Sequence, residues 1–360
     1  MKCIRCGHDS KYKDRTGMRC PACRGEFAFE PAKGALLSDT AFQHAVDAVS
    51  SGGHLRWGVE HLYYAACRRW RRGNPVGVAV VLIGLALIGA FLLRNRAPVF
   101  VLAVGVAAVV VWQVRRARAV PVFAPLPMER FNEMWARWLA VHGTPKGVIT
   151  RRPQSPKARE PEPDLPLYSF DRAVICDRAR TVDLLLANNF HFENNCAVLS
   201  IGGYPEKPFQ TVRAMLKRNP RLHVFALHDA TVPGCRLAHR LANDPGWFKD
   251  QVPVIDVGLR PSHAAPFRGL FLHAQAGRVP PGEGVTEKEA AWLSQYTLEL
   301  AAIRPEQVLK RLSRAINRRF DEDTSTDGTT WGDGSSGVRE DTESFSQEAG
   351  SSDDGPDGFG

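Results

Sequence analysis

The sequence predicts a multidomain integral membrane protein with a four-cysteine zinc ribbon, an α-helical transmembrane hairpin and an α/β domain built on a mostly parallel sheet. Three observations lead to this fold class. Two CxxC pairs open the chain, two apolar runs without a charge follow within residues 75–114, and apolar strands alternate with amphipathic helices from residue 167 to residue 318. At 360 residues and 44% hydrophobic content, the chain can bury more than one core.

Residues 1–30 are predicted to form the zinc ribbon. The two CxxC pairs have thirteen residues between them and supply four thiols, Cys3, Cys6, Cys20 and Cys23. Each pair can turn two thiolates toward one point, and four thiolates complete a closed tetrahedral site of the structural kind. A segment this short and polar needs the metal to fold, so zinc is the predicted cofactor. The basic loop of the ribbon either contacts nucleic acid or a protein partner or is simply solvated.

The other cysteines do not suit a secreted disulfide framework. Cys67, Cys176, Cys196 and Cys235 are scattered along the chain. The chain begins MKCIRCG and not with the basic region and apolar run of a secretory signal. These features predict a reducing compartment.

Residues 36–72 are predicted to form a helical adaptor. SDTAFQHAVDAV has the pattern of a capped helix, SSGG interrupts it, and HLRWGVEHLYYAACRRWRR resumes helical spacing. Four aromatic residues in this segment are expected to pack within the adaptor; the alternative is that they form a groove for a partner. They are Trp57, Tyr63, Tyr64 and Trp70.

Two apolar runs within residues 75–114 predict the membrane hairpin. Each run is about long enough to cross the roughly 30 Å of hydrocarbon in a bilayer, and only three residues separate them. Four arginines precede the hairpin and three follow it, so the positive-inside rule predicts that both termini and the soluble domain face the cytoplasm. The alternative is a pair of buried helices in a soluble core.

The formal charge of +9 is unevenly distributed. Residues 320–360 contain twelve Asp and Glu against one Arg, a balance of 1 − 12 = −11, so the preceding part of the chain carries about +20. This excess either directs membrane insertion through the arginines that flank the hairpin, or favours nucleic acid or anionic lipid. The acidic residues 320–360 are poor in apolar side chains and are predicted to be a disordered tail.

Two segments join the hairpin to the α/β domain. Residues 127–142 predict an amphipathic helix that lies at the membrane interface or caps the next domain. Residues 143–166 predict an extended, Pro-rich and charged linker.

The α/β domain is expected to place any site at the carboxyl ends of its strands, where ligands gather in open parallel sheets. Four strands are predicted in RAVIC, CAVLSIGG, HVFALHDA and VPVIDVGL. Their ends carry Cys176 and Asp177, Gly202 and Gly203, His228 and Asp229, and residues 258–260.

Several stretches of this domain are similar, in order, to one known family. They are ICDRARTVDLLLANNFHFENNCAVLSIGGYPEKPFQTVRAML, HVFALHDATVPG, VIDVGLRPSH, and TEKE with YTLELAAIRPEQVLKRLSRAI. Together they resemble the Toprim domain of the topoisomerase VI A subunit and its meiotic double-strand-break relatives, including a Gly-x-Pro turn at Gly203, Tyr204 and Pro205. The resemblance covers residues 168–318, less than half of the chain, and implies a Rossmann-like Toprim fold.

The resemblance also implies a degenerate site. In that family a glutamate at the end of the first strand and a DxD pair after the third strand hold Mg²⁺, and these positions fall here on Cys176, Asp229 and Thr231. Asp177 and Asp256 are the acidic residues that could replace the missing ligands. The family's tyrosine nucleophile precedes the Toprim unit, and this chain has no tyrosine between Arg115 and Leu167, so strand cleavage is not expected.

Three functions remain open from the sequence. The first is a membrane-anchored binding or scaffold protein whose degenerate Toprim-like domain recognises nucleic acid or a protein partner. The second is an Mg²⁺-dependent phosphodiester or phosphoanhydride enzyme with a site rebuilt around Asp229, the other candidates being Asp177, Asp256 and the thiol of Cys176 with His228 as its base. The third is a scaffold whose acidic tail recruits partners. No small-molecule substrate is identified.

Overall fold

The structure is a computed structural model that describes residues 1–71, 105, 122–150, 170–249, 252–275 and 277–326. Within these residues no helix is both long enough and apolar enough to cross a bilayer. This finding corrects the prediction of a two-pass membrane protein, and with it the membrane as a partner and the integral-membrane localisation. The predicted hairpin at 75–114, apart from Gly105, lies outside the described residues.

The amino-terminal part contains the cysteine ribbon and three helices. Short 3₁₀ turns at Tyr12–Asp14, Thr16–Met18 and Pro31–Lys33 shape the ribbon and the segment after it. Helix α1 covers Asp39–Ser50, α2 covers Val59–Arg71 and α3 covers Met128–His142. The Ser38 side chain accepts a hydrogen bond from the Ala41 backbone N–H, which caps α1 where the sequence pattern predicts its start.

The α/β part is built on a parallel four-stranded sheet. The strands are β1 Arg172–Cys176, β2 Cys196–Ser200, β3 His223–Leu227 and β4 Val254–Asp256, in the spatial order β2-β1-β3-β4. All four lie in the segments that the sequence predicts as strands. A second, two-stranded antiparallel sheet pairs β5, Leu272–His273, with β6, Tyr296–Thr297.

Helices connect and cover the strands. Between the strands run α4 Ala179–Ala187, α5 Phe190–Glu193, α6 Glu206–Leu216, α7 Val232–Cys235 and α8 Leu237–Asn243. After the sheet come 3₁₀ turns at Pro261–His263 and Ala265–Phe267, then α9 Glu287–Leu293, a 3₁₀ turn at Leu300–Ala302 and α10 Pro305–Thr326. Helix α10 includes the first residues of the predicted acidic tail; residues 327–360 lie outside the described part.

Alternate residues of each strand point to opposite faces of the sheet, and each face has its own core. Ala173 and Ile175 of β1 pack with α6 and α8, whereas Val174 and Cys176 face the other side. On that second side, one continuous core joins the sheet to α1, α2 and α3, and Trp57, Phe131 and Trp138 are completely or almost completely buried in it. The amino-terminal helices and the α/β part therefore share a hydrophobic core.

Backbone hydrogen bonds also join these segments of the chain. Trp57 exchanges backbone hydrogen bonds with the segment 147–149, and Phe123 forms a parallel bridge with Phe271. The first residues of the predicted linker thus pair with the adaptor; residues 151–166 of that linker are outside the described part.

Candidate functional site

The candidate site lies where the carboxyl ends of β1 and β3 meet. The chain leaves β1 toward β2 and leaves β3 toward β4, so these neighbouring strands send their connections in opposite directions. Such a topological switch point is where open α/β sheets bind ligands. Asp177 follows β1 and the pair His228–Asp229 follows β3, so the fold brings these predicted residues together.

Asp229 is buried and its carboxylate is fully engaged. Arg178 Nε and Arg180 Nη2 donate to its Oδ2 at 3.2 and 3.3 Å, and the Leu300 backbone N–H donates to its Oδ1 at 2.7 Å. Only 1% of the residue is exposed. Burial and the charge of Glu299 raise the pKa of this carboxyl, and they outweigh the two guanidinium groups, which act to lower it.

The carboxyl group of Asp177 has fewer hydrogen-bond partners than that of Asp229. Its Oδ2 accepts the Asp229 backbone N–H at 3.0 Å, but its Oδ1 is buried and has no hydrogen-bond partner. Burial, and then the negative charge of Asp229, raise the pKa of Asp177 to about 7. Gly234 lies against this pair, because a Cβ at that position would collide with the Asp229 carbonyl and come within 3.2 Å of Asp177 Oδ2.

The structure adds two residues that the sequence patterns do not place at this site. Tyr64 of α2 is 1% exposed and donates its hydroxyl hydrogen to Glu299 Oε2 at 3.1 Å. Glu299 Oε1 in turn lies 2.7 Å from Arg180 Nη2, so the phenol is linked to Asp229 through two charged side chains. The sequence has no tyrosine between residues 115 and 167, whereas Tyr64 reaches the site from α2, far before β1 along the chain.

The phenol of Tyr64 is poorly suited to act as a nucleophile in the folded chain. Burial and the charge of Glu299 raise the pKa of its phenol well above the ordinary value. A buried, neutral phenol is a weak nucleophile. The fold therefore brings a tyrosine to the site while keeping it protonated.

Asp256 belongs to a second buried network beside the site. His228 Nε2 lies 2.9 Å from Asp256 Oδ1, and Arg260 donates to Asp256 Oδ2 at 2.9 Å. Arg260 Nη1 also reaches Glu289 of α9 at 2.9 Å. Burial lowers the pKa of His228, but the charge and hydrogen bond of Asp256 outweigh this effect and raise it. Gly258 is required beside this pair, since a Cβ there would overlap the His228 ring.

The predicted thiol and threonine positions take structural roles. Cys176 is fully buried at the end of β1, and burial raises the pKa of its thiol well above the ordinary value. Its proposed base is engaged elsewhere, because both His228 ring nitrogens have partners, the Asp229 carbonyl and Asp256. Thr231 accepts the Gly234 backbone N–H and caps α7.

The glycine turn predicted after β2 lies at the same edge of the sheet. Gly203 has a φ of 87°, a value that suits glycine, and the Gly202 N–H donates to the Ser200 hydroxyl at 3.0 Å. The Ser200 backbone N–H donates in turn to the Tyr204 carbonyl at 2.8 Å. The turn is thus closed by its own hydrogen bonds.

The site offers few open ligands for a cation. Mg²⁺ is usually held by one or two carboxylates together with water and substrate phosphate. Asp229 and Asp256 already accept hydrogen bonds from arginines at Oδ2, and their Oδ1 atoms are engaged by Leu300 and His228. Among the described residues of the site, Asp177 Oδ1 is the buried carboxylate oxygen that accepts no hydrogen bond.

The four amino-terminal cysteines form a separate cluster that can hold a metal ion. Their sulfur atoms lie within 4.8 Å of one another, and no other group of three or more potential ligands comes together among the described residues. Cys3 Sγ is 3.7 Å from Cys23 Sγ, and Cys6 Sγ is 3.6 Å from Cys20 Sγ. Gly7, with a φ of 72°, turns the chain after the first pair. The fold thus assembles the four thiols that the CxxC spacing predicts.

Comparison of the chain with protein-family models, curated proteins and solved structures finds no match in any of the three. The similarity of residues 168–318 to the Toprim domain therefore stays a prediction from the sequence.

Proposed function

We propose that this chain is a nucleic-acid-binding protein whose Toprim-like domain has lost its catalytic ligands. One observation carries the proposal: at the switch point, Arg178 and Arg180 occupy the carboxylate of Asp229, where a metal-dependent enzyme of this type would need an open acidic pair. Arg178 is 46% exposed in its side chain, so it also presents positive charge to solvent at this edge. The geometry favours recognition over chemistry.

The charge distribution supports nucleic acid as the partner. Residues 1–319 carry about +20, because the chain total of +9 includes −11 from residues 320–360. An excess of this size favours binding to a phosphate backbone, which releases counterions. The ribbon loop, with exposed Lys11 and Lys13, supplies a second contact.

Zinc is the metal that we propose for the four-cysteine cluster. A tetrahedral site with Zn–S bonds of about 2.3 Å places neighbouring sulfur atoms roughly 3.8 Å apart. The sulfur distances of 3.7 and 3.6 Å agree with this spacing. With four thiolates and no open position, such a site is structural and holds the ribbon in shape.

The test of nucleic-acid binding uses the full chain and labelled single-stranded DNA, duplex DNA and RNA at increasing salt. Binding should weaken steeply, with log K falling linearly with log salt in proportion to the phosphates contacted. The variant Lys11→Gln/Lys13→Gln should show a shallower slope, whereas Lys249→Gln/Lys288→Gln, with the same charge change at exposed lysines outside the ribbon, should keep the wild-type slope. Absence of binding at low salt, or binding that ignores salt, would contradict the proposal.

A second candidate is a metal-dependent phosphodiester or phosphoanhydride enzyme, and the unpartnered Oδ1 of Asp177 favours it. A bound cation would compensate a carboxylate that burial otherwise keeps partly protonated. The test is an Mg²⁺ or Mn²⁺ titration of the full chain followed by its Tm. A rise in Tm that is lost in Asp177→Asn but kept in Asp171→Asn, at an exposed residue, would favour the enzyme. No metal response in the wild type would favour the binding protein.

A further inference from the structure

A cavity that borders the strand-end site at Tyr64 lies between the amino-terminal helices and the start of α10. It has a volume of about 340 Å³ and is bordered by α1, α2, the 3₁₀ turn at Ala265–Phe267 and the segment 301–307. This volume falls at the lower end of the roughly 300–1,000 Å³ of small-molecule pockets. The cavity is therefore large enough for a small organic ligand.

The charge of the cavity lining has one sign. Among the described residues, no Asp or Glu borders the cavity, but four arginines do. These are Arg68, Arg69, Arg268 and Arg304. The other ionisable groups that border it, within the described part of the chain, are His61 and Tyr64. Burial lowers the pKa of His61 to about 4, so this ring is neutral at physiological pH. The lining thus contains four guanidinium groups and, among the described residues, no carboxylate, which favours an anion.

One of the two lining arginines on α2, Arg68, is held in a defined position. Arg68 Nη2 donates to the Ala302 carbonyl at 2.6 Å, and its guanidinium lies 5.6 Å from the centre of the Phe267 ring. Stacking and hydrogen bonding restrict its rotamers, so less entropy is lost when it binds a ligand. Arg304 precedes Pro305, the first residue of α10, so the amino-terminal end of this long helix adds its positive dipole at the same place.

Apart from Gln307, the remaining side chains that line the cavity are apolar. Val49, Leu270 and Ile303 border the cavity together with the ring of Phe267. An inorganic anion would leave this apolar surface unused, whereas a ligand with a phosphate and a flat organic group would match both parts.

We propose that this cavity is a binding site for a phosphate-bearing nucleotide unit, with the arginines holding the phosphate and the apolar residues contacting the organic group. The nucleotide unit comes either from a free mononucleotide or from a nucleic-acid strand, which share this chemistry. The inference goes beyond the proposed function, because a free nucleotide would satisfy it in a chain that does not bind nucleic acid.

The first experiment measures adenosine 5′-monophosphate binding to the full chain by calorimetry, with adenosine and inorganic phosphate as comparison probes. The monophosphate should bind more tightly than either comparison probe. The variant Arg268→Gln/Arg304→Gln should weaken its binding by at least about tenfold, as expected for losing charged hydrogen bonds. The control Arg218→Gln/Arg221→Gln, at exposed arginines just before β3, should keep the wild-type affinity.

A second measurement does not depend on the folding of any variant. Phenylglyoxal modification of the wild-type chain, read by mass spectrometry, should show that the monophosphate protects Arg268 and Arg304 but leaves Arg221 reactive. Equal modification with and without the nucleotide, together with no calorimetric binding, would overturn the inference.

The two proposals fail in different ways. If the cavity variant loses both the monophosphate and an oligonucleotide, the site takes its phosphate from a nucleic-acid strand. If it loses only the monophosphate, the ligand is a free nucleotide. If oligonucleotides bind the wild type and this variant equally and the monophosphate binds neither, the inference is wrong and the proposed function stands. Monophosphate binding without any oligonucleotide binding would contradict the proposed function alone.

Discussion

Burial gives Asp177 a high proton affinity, and the stability of the protein should depend on pH through this residue. Its pKa is about 7 in the folded chain against an ordinary 3.8. As pH rises from about 4 to about 7, the unfolded chain releases this proton while the folded chain keeps it, so the free energy of unfolding falls through this window and levels off above it.

The substitution Asp177→Asn removes this effect. When the pH rises from 5 to 8, the free energy of unfolding should fall by about 2 to 3 kcal/mol less in the variant than in the wild type. Each pKa unit corresponds to about 1.4 kcal/mol. Urea unfolding at pH 5, 6, 7 and 8 measures the difference. Asp171→Asn, at an exposed position, should follow the wild-type curve. Parallel curves for the wild type and Asp177→Asn would show that Asp177 ionises as an ordinary carboxylate.

The buried pair of Asp256 and His228 allows a second prediction for single residues. Asp256→Asn leaves His228 and Arg260 without their shared anion, and both of these side chains are buried. Removing one partner of a buried ion pair costs about 3 to 5 kcal/mol. Denaturant unfolding should detect this loss, whereas Glu283→Gln, whose carboxylate is 60% exposed in its pair with Arg236, should change stability by less than about 1 kcal/mol. Equal effects of the two substitutions would contradict the structural role of the network.

At the scale of elements, the cysteine ribbon contacts α1 and α3 through hydrogen bonds. Arg5 donates to the Val141 carbonyl at 3.0 Å, and Arg137 donates to the Ala28 carbonyl at 3.1 Å. The Asp39 carboxylate accepts from the backbone N–H groups of Ala28 and Phe29 at 3.0 and 2.7 Å. The contacts at residues 28 and 29 lie after the last cysteine, so they do not depend directly on the metal.

Removing the metal should therefore loosen the ribbon selectively. Chelation, or the substitution Cys20→Ser, should speed hydrogen exchange in residues 1–27 by at least about tenfold, while the strands β1–β4 keep their protection. Hydrogen-exchange mass spectrometry measures this, and metal analysis should find one zinc per chain in the wild type. Cys196→Ser, at a buried cysteine of the sheet, should retain the metal. Uniform loss of protection through the whole chain would show that the ribbon is part of the main cooperative unit.

Much of the element pattern could be predicted because it depends on local sequence. RAVIC and HVFAL form β1 and β3 because β-branched and other apolar residues fill strands that are covered on both faces. Ser38 begins α1 because its hydroxyl caps the first turn. The spatial order β2-β1-β3-β4 could not be predicted from these patterns, because each strand is apolar on both faces and no strand identifies its neighbour.

The net charge of the chain depends strongly on its acidic carboxyl-terminal residues. Residues 327–360 contain nine Asp and Glu against Arg339, so their removal changes the net charge from +9 to +17. A chain truncated after residue 326 should bind nucleic acid more tightly, with the largest gain at low salt, because acidic residues that compete with phosphate are lost. Salt-dependent binding of the two chains measures this. A chain that keeps the length but replaces these acidic residues with Asn and Gln should behave like the truncated one, and equal affinities for all three chains would contradict an electrostatic role of the tail.

Residue types and their spacing are enough to predict the four thiols of the ribbon, the strands of the α/β part and the acidic residues at the strand ends. Local spacing and periodicity encode these features. Which side chains contact one another depends on the folded chain. It brings Arg178, Arg180 and Glu299 around Asp229, places Tyr64 beside them, and leaves Asp177 with a buried oxygen that lacks a partner. It also corrects the predicted membrane span, because no helix of the described residues is long and apolar enough to cross a bilayer. The arrangement around Asp229 depends on contacts between residues far apart in the chain, which no local pattern specifies.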